Sequence, residues 1–250
     1  MNELDINNPQ LPDFIVPGAD EKKQDEPAKI KVIGVGGGGG NAVNHMYHQG
    51  IGGVSFVLCN TDAQALRNSP VPVKVQLGAK GEGAGNIPEV AKKLAEESAA
   101  EVEALFDDNT RMAFITAGMG GGTGTGAAPV VARIAKEKGV LTVGIVTIPF
   151  LFEGEPKILQ AFAGVEEMRK HVDALLVINN ERLCKIYPDL SWTTAFAKAD
   201  DSLSNAARSI AELVSKDGKI NLDFADVRTT LKDGGAAVIS TGSGEGEHRM

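Results

Sequence analysis

The sequence predicts an α/β fold, a mostly parallel sheet with helices on both faces, and three observations carry that prediction. Runs rich in Val, Ile and Leu recur at 30–35, 54–59, 73–77, 112–117, 140–147 and 172–178. Read as apolar runs, they suit strands buried on both faces. Helix-like stretches at 41–49, 89–105, 126–138 and 154–170 fall between most of them, the alternation that builds parallel sheets. The runs at 30–35 and 112–117 each lead into a glycine-rich loop that opens a helix.

Taken in order, residues 1–27 carry seven acids against two bases, −5 of the chain's net −8, and are broken by Pro9, Pro12, Pro17 and Pro27. Such a stretch predicts a disordered acidic leader. Its short apolar string, Leu11 to Val16, suits a docking motif but is more simply incidental. Residues 28–192 form the ligand-binding domain. A long connecting helix follows over 193–216, with Ala195, Ala199, Leu203, Ala206, Ala207, Ile210 and Leu213 on one stripe and a polar stop at Lys216-Asp217-Gly218-Lys219. Residues 217–250, with a last strand-like run at 236–241, are too short for a domain and are expected to begin a second, truncated one.

At 42% hydrophobic and 23% charged, the composition is that of a globular chain, and no apolar run approaches the ~20 residues of a membrane span. The near-neutral body has no basic stripe, which argues against nucleic acid. Cys59 and Cys184 are unpaired by any pattern and fit a reducing, cytoplasmic setting.

The chemistry concentrates in the two glycine loops. The first is Gly36, Gly37, Gly38, Gly39, Gly40 and Asn41; the second runs Gly118, Met119, Gly120, Gly121, Gly122, Thr123, Gly124, Thr125, Gly126. A strand turning through glycines into a helix start aims bare N–H groups and the positive end of a helix dipole at one spot. Two such loops form a cradle for a nucleotide di- or triphosphate. Gly34, Gly36 and Gly39 with Asp62 also spell a Rossmann-like dinucleotide fingerprint. A dinucleotide enzyme, however, needs no second Gly/Thr-rich loop, and Thr123 and Thr125 add hydroxyls suited to phosphate oxygens or the water shell of Mg²⁺.

The run Gly120 to Gly126 matches the tubulin-type signature G-G-G-T-G-[ST]-G. With Gly36 to Ala42, Asn60-Thr61-Asp62, Gly83-Ala84-Gly85, Phe152-Glu153-Gly154 and Asn221 to Thr229 in order, residues 28–250 resemble the FtsZ family, the bacterial tubulin-like GTPases of cell division. The resemblance implies GTP or GDP with Mg²⁺ as ligands, and no metal site made by the protein alone. It places the phosphates among 36–41, Asn60, Thr61, Asp62, Ala84, Gly85 and 118–126, with Thr147 and Lys157 nearby. Glu153 is implied as a ribose partner, Phe196 as the platform for the base, and Asp200 with Asn180 as readers of its edge. Lys157 stands where the family usually has arginine, a point charge in place of a planar fork.

The resemblance further implies that Asn221, Asp223 and Asp226 are catalytic, orienting water against the γ-phosphate. A helix of roughly 22 residues spans about 33 Å, so these acids would serve a nucleotide held by the next subunit of a head-to-tail homopolymer. The implied setting is the cytoplasm at the division site, with membrane-tethering and division proteins reached through regions outside this chain and no direct membrane insertion. The alternatives are an NAD-dependent oxidoreductase and a nucleotide-binding module without turnover.

Overall fold

A computed structural model describes residues 30–187, 189, 191–215 and 224–238; the leader at 1–27, the candidate catalytic residues Asn221 and Asp223, and the end of the 236–241 run lie outside these. Seven strands, β1 (Ile30–Val35), β2 (Ser55–Asn60), β3 (Val73–Gln76), β4 (Met112–Gly118), β5 (Leu141–Ile148), β6 (Ala174–Asn179) and β7 (Gly235–Ala236), form one sheet in the order β3-β2-β1-β4-β5-β6-β7. Every pairing is parallel. The order reverses between β1 and β4, and ligands of such sheets bind at that switch point, outside the carboxyl ends of the strands.

One face carries α3 (Pro88–Glu97), α4 (Ala99–Ala104), α5 (Gly122–Glu137) and α6 (Glu155–His171) over a core that includes Ile33, Val35, Ile115, Ala117 and Val146. The other face carries α1 (Gly36–His48), α8 (Trp192–Ser215) and α9 (Phe224–Leu231) over Ile30, Val32, Phe114, Val143 and Leu203. Two short helices, α2 (Ala63–Arg67) and α7 (Asn180–Ile186), follow β2 and β6.

The helix starts differ from expectation. The first helix begins at Gly36 rather than 41, and α5 at Gly122 rather than 126, so the glycines form the opening turns of the helices. Glycine is a poor helix former, but tertiary contact requires it here. A Cβ on Gly39 would strike the carbonyl of Thr116, and one on Gly126 the carbonyl of Pro88. The stretch 89–105 is two helices, α3 and α4, divided at Ser98, whose hydroxyl accepts the Gly78 N–H at 2.9 Å.

Candidate functional site: a nucleotide cleft at the switch point

β1 and β4 are neighbours in full register, Val35 beside Ala117, so the two glycine segments that follow them lie side by side. Above them opens a cleft of about 470 Å³, lined from α1 by Gly37, Gly38 and Asn41, from the second loop by Gly118, Gly121, Gly122, Thr123 and Gly124, and from the far side by Thr147, Glu153, Lys157, Asn180, Phe196 and Asp200. These fourteen residues, singled out from sequence and spread over 164 positions of chain, meet in one place. The first turns of α1 and α5 both open here and leave their N–H groups without intrahelical acceptors.

The rest of the sequence-derived set stands around the rim or under the floor. Gly36, Gly40 and Asn60 line a smaller adjoining cavity, and Gly39 is buried against β4. The Thr61 hydroxyl meets that of Thr123 at 2.7 Å, joining the loop after β2 to the second glycine segment. Asp62 caps α2, its carboxylate accepting from the N–H groups of Gln64 (2.7 Å) and Ala65 (3.3 Å). Ala84 is buried and accepts the Ile87 N–H, and Gly85 sits at φ 58° in the turn between them. Thr125 faces away from the cleft, its hydroxyl accepting the Gly120 N–H at 2.9 Å, and Gly126 packs on α3.

The far wall is aromatic. Phe150 is fully buried and stacks on Phe152 with centroids 4.9 Å apart, and Phe196 meets Phe150 edge-on at 5.2 Å. Phe196 keeps 42% of its surface exposed and also meets Phe152 edge-on, with centroids 6.2 Å apart. Asn180 is buried, and its Oδ1 has no hydrogen-bond partner among the described residues, the situation of an acceptor waiting for a ligand's donor. Asp200 is half-buried; burial pushes its carboxyl up to about 6, with Asp201 adding to the rise and His45 opposing it. Glu153 accepts the Phe150 N–H at 3.0 Å and holds Lys157 at 3.3 Å.

Sequence reasoning did not single out Ala199, Leu203 or Pro149, which also line the cleft. The first two were findable: Phe196, Ala199, Asp200 and Leu203 follow i, i+3, i+4, i+7 on one face of α8. Gln160 carried no signal. Its side-chain amide donates to the carbonyls of both Gly120 and Gly121 at 3.1 Å.

Asp226 lies at the other end of the molecule. α9 sits across the amino ends of β4 and β5: the Arg111 guanidinium, just before β4, lies 5.4 Å over the Phe224 ring, and Arg228 reaches the carbonyl of Gly139, just before β5. Val227 is buried there and Asp226 is exposed. From Phe196 to the end of α8 at Ser215 is about 28 Å of helix, so Asp226 cannot reach the cleft of its own chain.

A parallel α/β fold whose switch point is closed by two glycine-opened helices, an aromatic platform and an edge of polar acceptors defines a nucleotide-binding protein. The family model described as Tubulin/FtsZ family, GTPase domain, matches residues 29–188, and the chain belongs to that family. The cell division protein FtsZ of Porphyromonas gingivalis is 66% identical over 228 residues, covering 90% of this chain and 50% of that protein. That of Bartonella bacilliformis is 53% identical over 225 residues, covering 88% and 38%. The chain therefore spans about half the length of the first and less of the second. Among solved structures, an empty FtsZ dimer from M. jannaschii matches with a TM-score of 0.80 at 45% identity, over 85% of this chain and 63% of that one. CetZ2 from Haloferax volcanii, a GTPγS-bound protofilament, matches at 0.71 with 24% identity over 83% and 64%, a likeness of fold.

Membership removes the dinucleotide alternative, and Asp62, the acid of that fingerprint, caps α2 instead. Among the described residues no helix is long and apolar enough to cross a membrane.

Proposed function

We propose that the cleft binds GTP and GDP, and that the protein is an assembly-activated GTPase that stacks head to tail at the division site. The observation that carries this reading is the opposition of the two ends: the cleft lies at the carboxyl ends of the strands and Asp226 at their amino ends. Phosphates would lie against the opening turns of α1 and α5. The base would rest on Phe196, with the Asp200 carboxylate accepting from guanine N1–H and the exocyclic amine, a pair of donors that adenine lacks.

Among the described residues no trio of His, Cys, Asp or Glu is placed to hold a metal. Mg²⁺ commonly binds through substrate phosphates and water, and the facing hydroxyls of Thr61 and Thr123 fit that mode. Bound there, the ion would neutralise phosphate charge. Asp226, with Asn221 and Asp223, would orient the attacking water from the adjoining subunit, a contact that repeats without closing and so makes a filament.

GTP turnover per molecule, measured against protein concentration in the full-length polypeptide, is expected to rise with concentration. Asp226→Ala is expected to leave GTP affinity within about twofold while lowering turnover by roughly 10²-fold or more, the scale of a lost catalytic group. Turnover per molecule that is independent of concentration would overturn the shared site, as would equal loss of binding and turnover in the variant.

A further inference from the structure

We propose that Gln160 is a positioning residue for the phosphates: it holds the second glycine segment from behind so that the N–H groups of Gly121 and Gly122 face the cleft. The inference rests on the guanine-nucleotide reading above and names the side chain that prepares that site. The argument starts from peptide geometry. In a trans peptide the carbonyl and the next residue's N–H point in opposite directions. Gln160 lies on α6, on the side of the segment away from the cleft, and its single amide nitrogen spends both hydrogens on the carbonyls of Gly120 and Gly121 at 3.1 Å each. Turning those two carbonyls toward α6 turns the N–H groups of Gly121 and Gly122 the other way, and both residues line the cleft.

The neighbouring amides are already taken. Met119 donates to the Thr147 carbonyl at 2.9 Å and Gly120 to the Thr125 hydroxyl at 2.9 Å. The segment needs such a hold because it is glycine-rich: Gly120 sits at φ 100°, where side chains are strained, and the Thr125 hydroxyl fixes its N–H but neither the Gly120 nor the Gly121 carbonyl. There is also no room to fix it otherwise, since a Cβ on Gly120 would lie 2.8 Å from the Lys157 carbonyl of α6. A donor is required at 160. A carboxylate of the same shape would set acceptors against two carbonyls and bring negative charge toward the phosphates.

The test is calorimetric binding of GTP and GDP to the wild-type chain, Gln160→Leu and Gln160→Glu, with the nucleotide-free melting temperature of each. Gln160→Leu is expected to weaken both nucleotides about fivefold to tenfold, the scale of one to two lost hydrogen bonds. Gln160→Glu is expected to weaken them further, and GTP more than GDP, because the added charge works against phosphate charge. The nucleotide-free melting temperature should move little, which a merely structural role would not allow. Unchanged affinities in both variants, equal losses for Leu and Glu, or losses matched by collapse of the nucleotide-free melt would each overturn the role of Gln160. A wild-type chain that binds neither GTP nor GDP would overturn the underlying reading instead.

Discussion

Asp200 shows how one residue can oppose the stability of the empty protein and serve its ligand. Its ordinary value of 3.8 is raised to about 6, chiefly by burial. As pH rises from about 4, the unfolded chain therefore releases the proton first. Asp200 contributes most to stability below about pH 4, and that contribution is lost as pH passes through 6. In the reading proposed above, guanine by contrast needs the ionised form. GTP affinity should fall about tenfold for each unit below pH 6, one proton being taken up where the ligand must bind. His45 lies 2.8 Å from Asp201, the residue after Asp200 on α8. Asp200→Asn isolates the carboxyl itself, because it should flatten that fall, weaken GTP at pH 7.5 and raise the nucleotide-free melting temperature there. Binding titrations and melts from pH 5 to 8 check all three, and an unaltered pH slope in the variant would remove Asp200 from the site. At this scale the glycines that open α1 and α5, and Thr123, were legible as cleft residues because phosphate cradles have a local signature; Thr125, which shares that signature, faces away from the cleft. Phe196 and Asp200 were not legible from spacing alone and came through the family resemblance. Gln160, and the buried Lys31 whose ammonium meets Asp108 at 2.6 Å, were out of reach, since each is defined by partners 39 or more residues away.

At the scale of the element, the run from Gly36 to Gly40 is two sets of residues in one turn of helix. Gly39 is pressed onto β4 at Thr116, and a Cβ on Gly34 would lie 2.8 Å from the Val43 side chain of α1. Gly37 is exposed, lines the cleft and has nothing within 4 Å of where a Cβ would stand. The two kinds of glycine should respond oppositely to alanine. Gly39→Ala should destabilise the empty chain by about 1–3 kcal/mol through overpacking. Gly37→Ala should leave it as stable or raise it by about 0.5 kcal/mol through helix propensity, yet weaken GTP by intruding on the phosphates. Thermal melts with and without GTP measure both, and an equal loss of stability in the two variants would refute the division. Most strands were legible because burial on both faces writes itself as continuous apolar runs; the edge strand β3, exposed at all but Val75, was legible only as a shorter alternating stretch. Helix starts were the least legible, since propensity argues against glycine in a helix and only the neighbouring strand explains it. Of the expected last strand, 236–241, Ala236 pairs with β6 among the residues described, together with Gly235 just before it.

On the scale of the whole molecule, the sheet works as a directed rod. β4 carries the second phosphate segment at its carboxyl end and, from Arg111, touches Phe224 of α9 at its amino end. Its seven residues span about 23 Å, which keeps the cleft and Asp226 of one chain apart, at opposite ends of the sheet. Strand order could not be read from sequence, because crossovers do not reveal which neighbour they reach; the opposition of ends needed it. If each active site is built from two chains, two different defects should complement. A full-length subunit with Asp226→Ala can hold GTP but lends no acid. One with Phe196→Ala and Asp200→Ala lends the acid but holds GTP poorly. Each alone should be nearly inactive, and an equimolar mixture should recover about a quarter of wild-type turnover, the share of contacts that place a sound donor against a sound cleft when the order of stacking is random. Adding Arg111→Ala to the acid-lending subunit should reduce the recovered rate, because the cation over Phe224, a contact of about 0.5–1 kcal/mol at an exposed site, helps hold α9 where Asp226 meets the neighbour. The same substitution placed in the GTP-holding subunit should change nothing. A mixture no more active than its parts would mean that cleft and acid act within one chain, against the direction of the sheet.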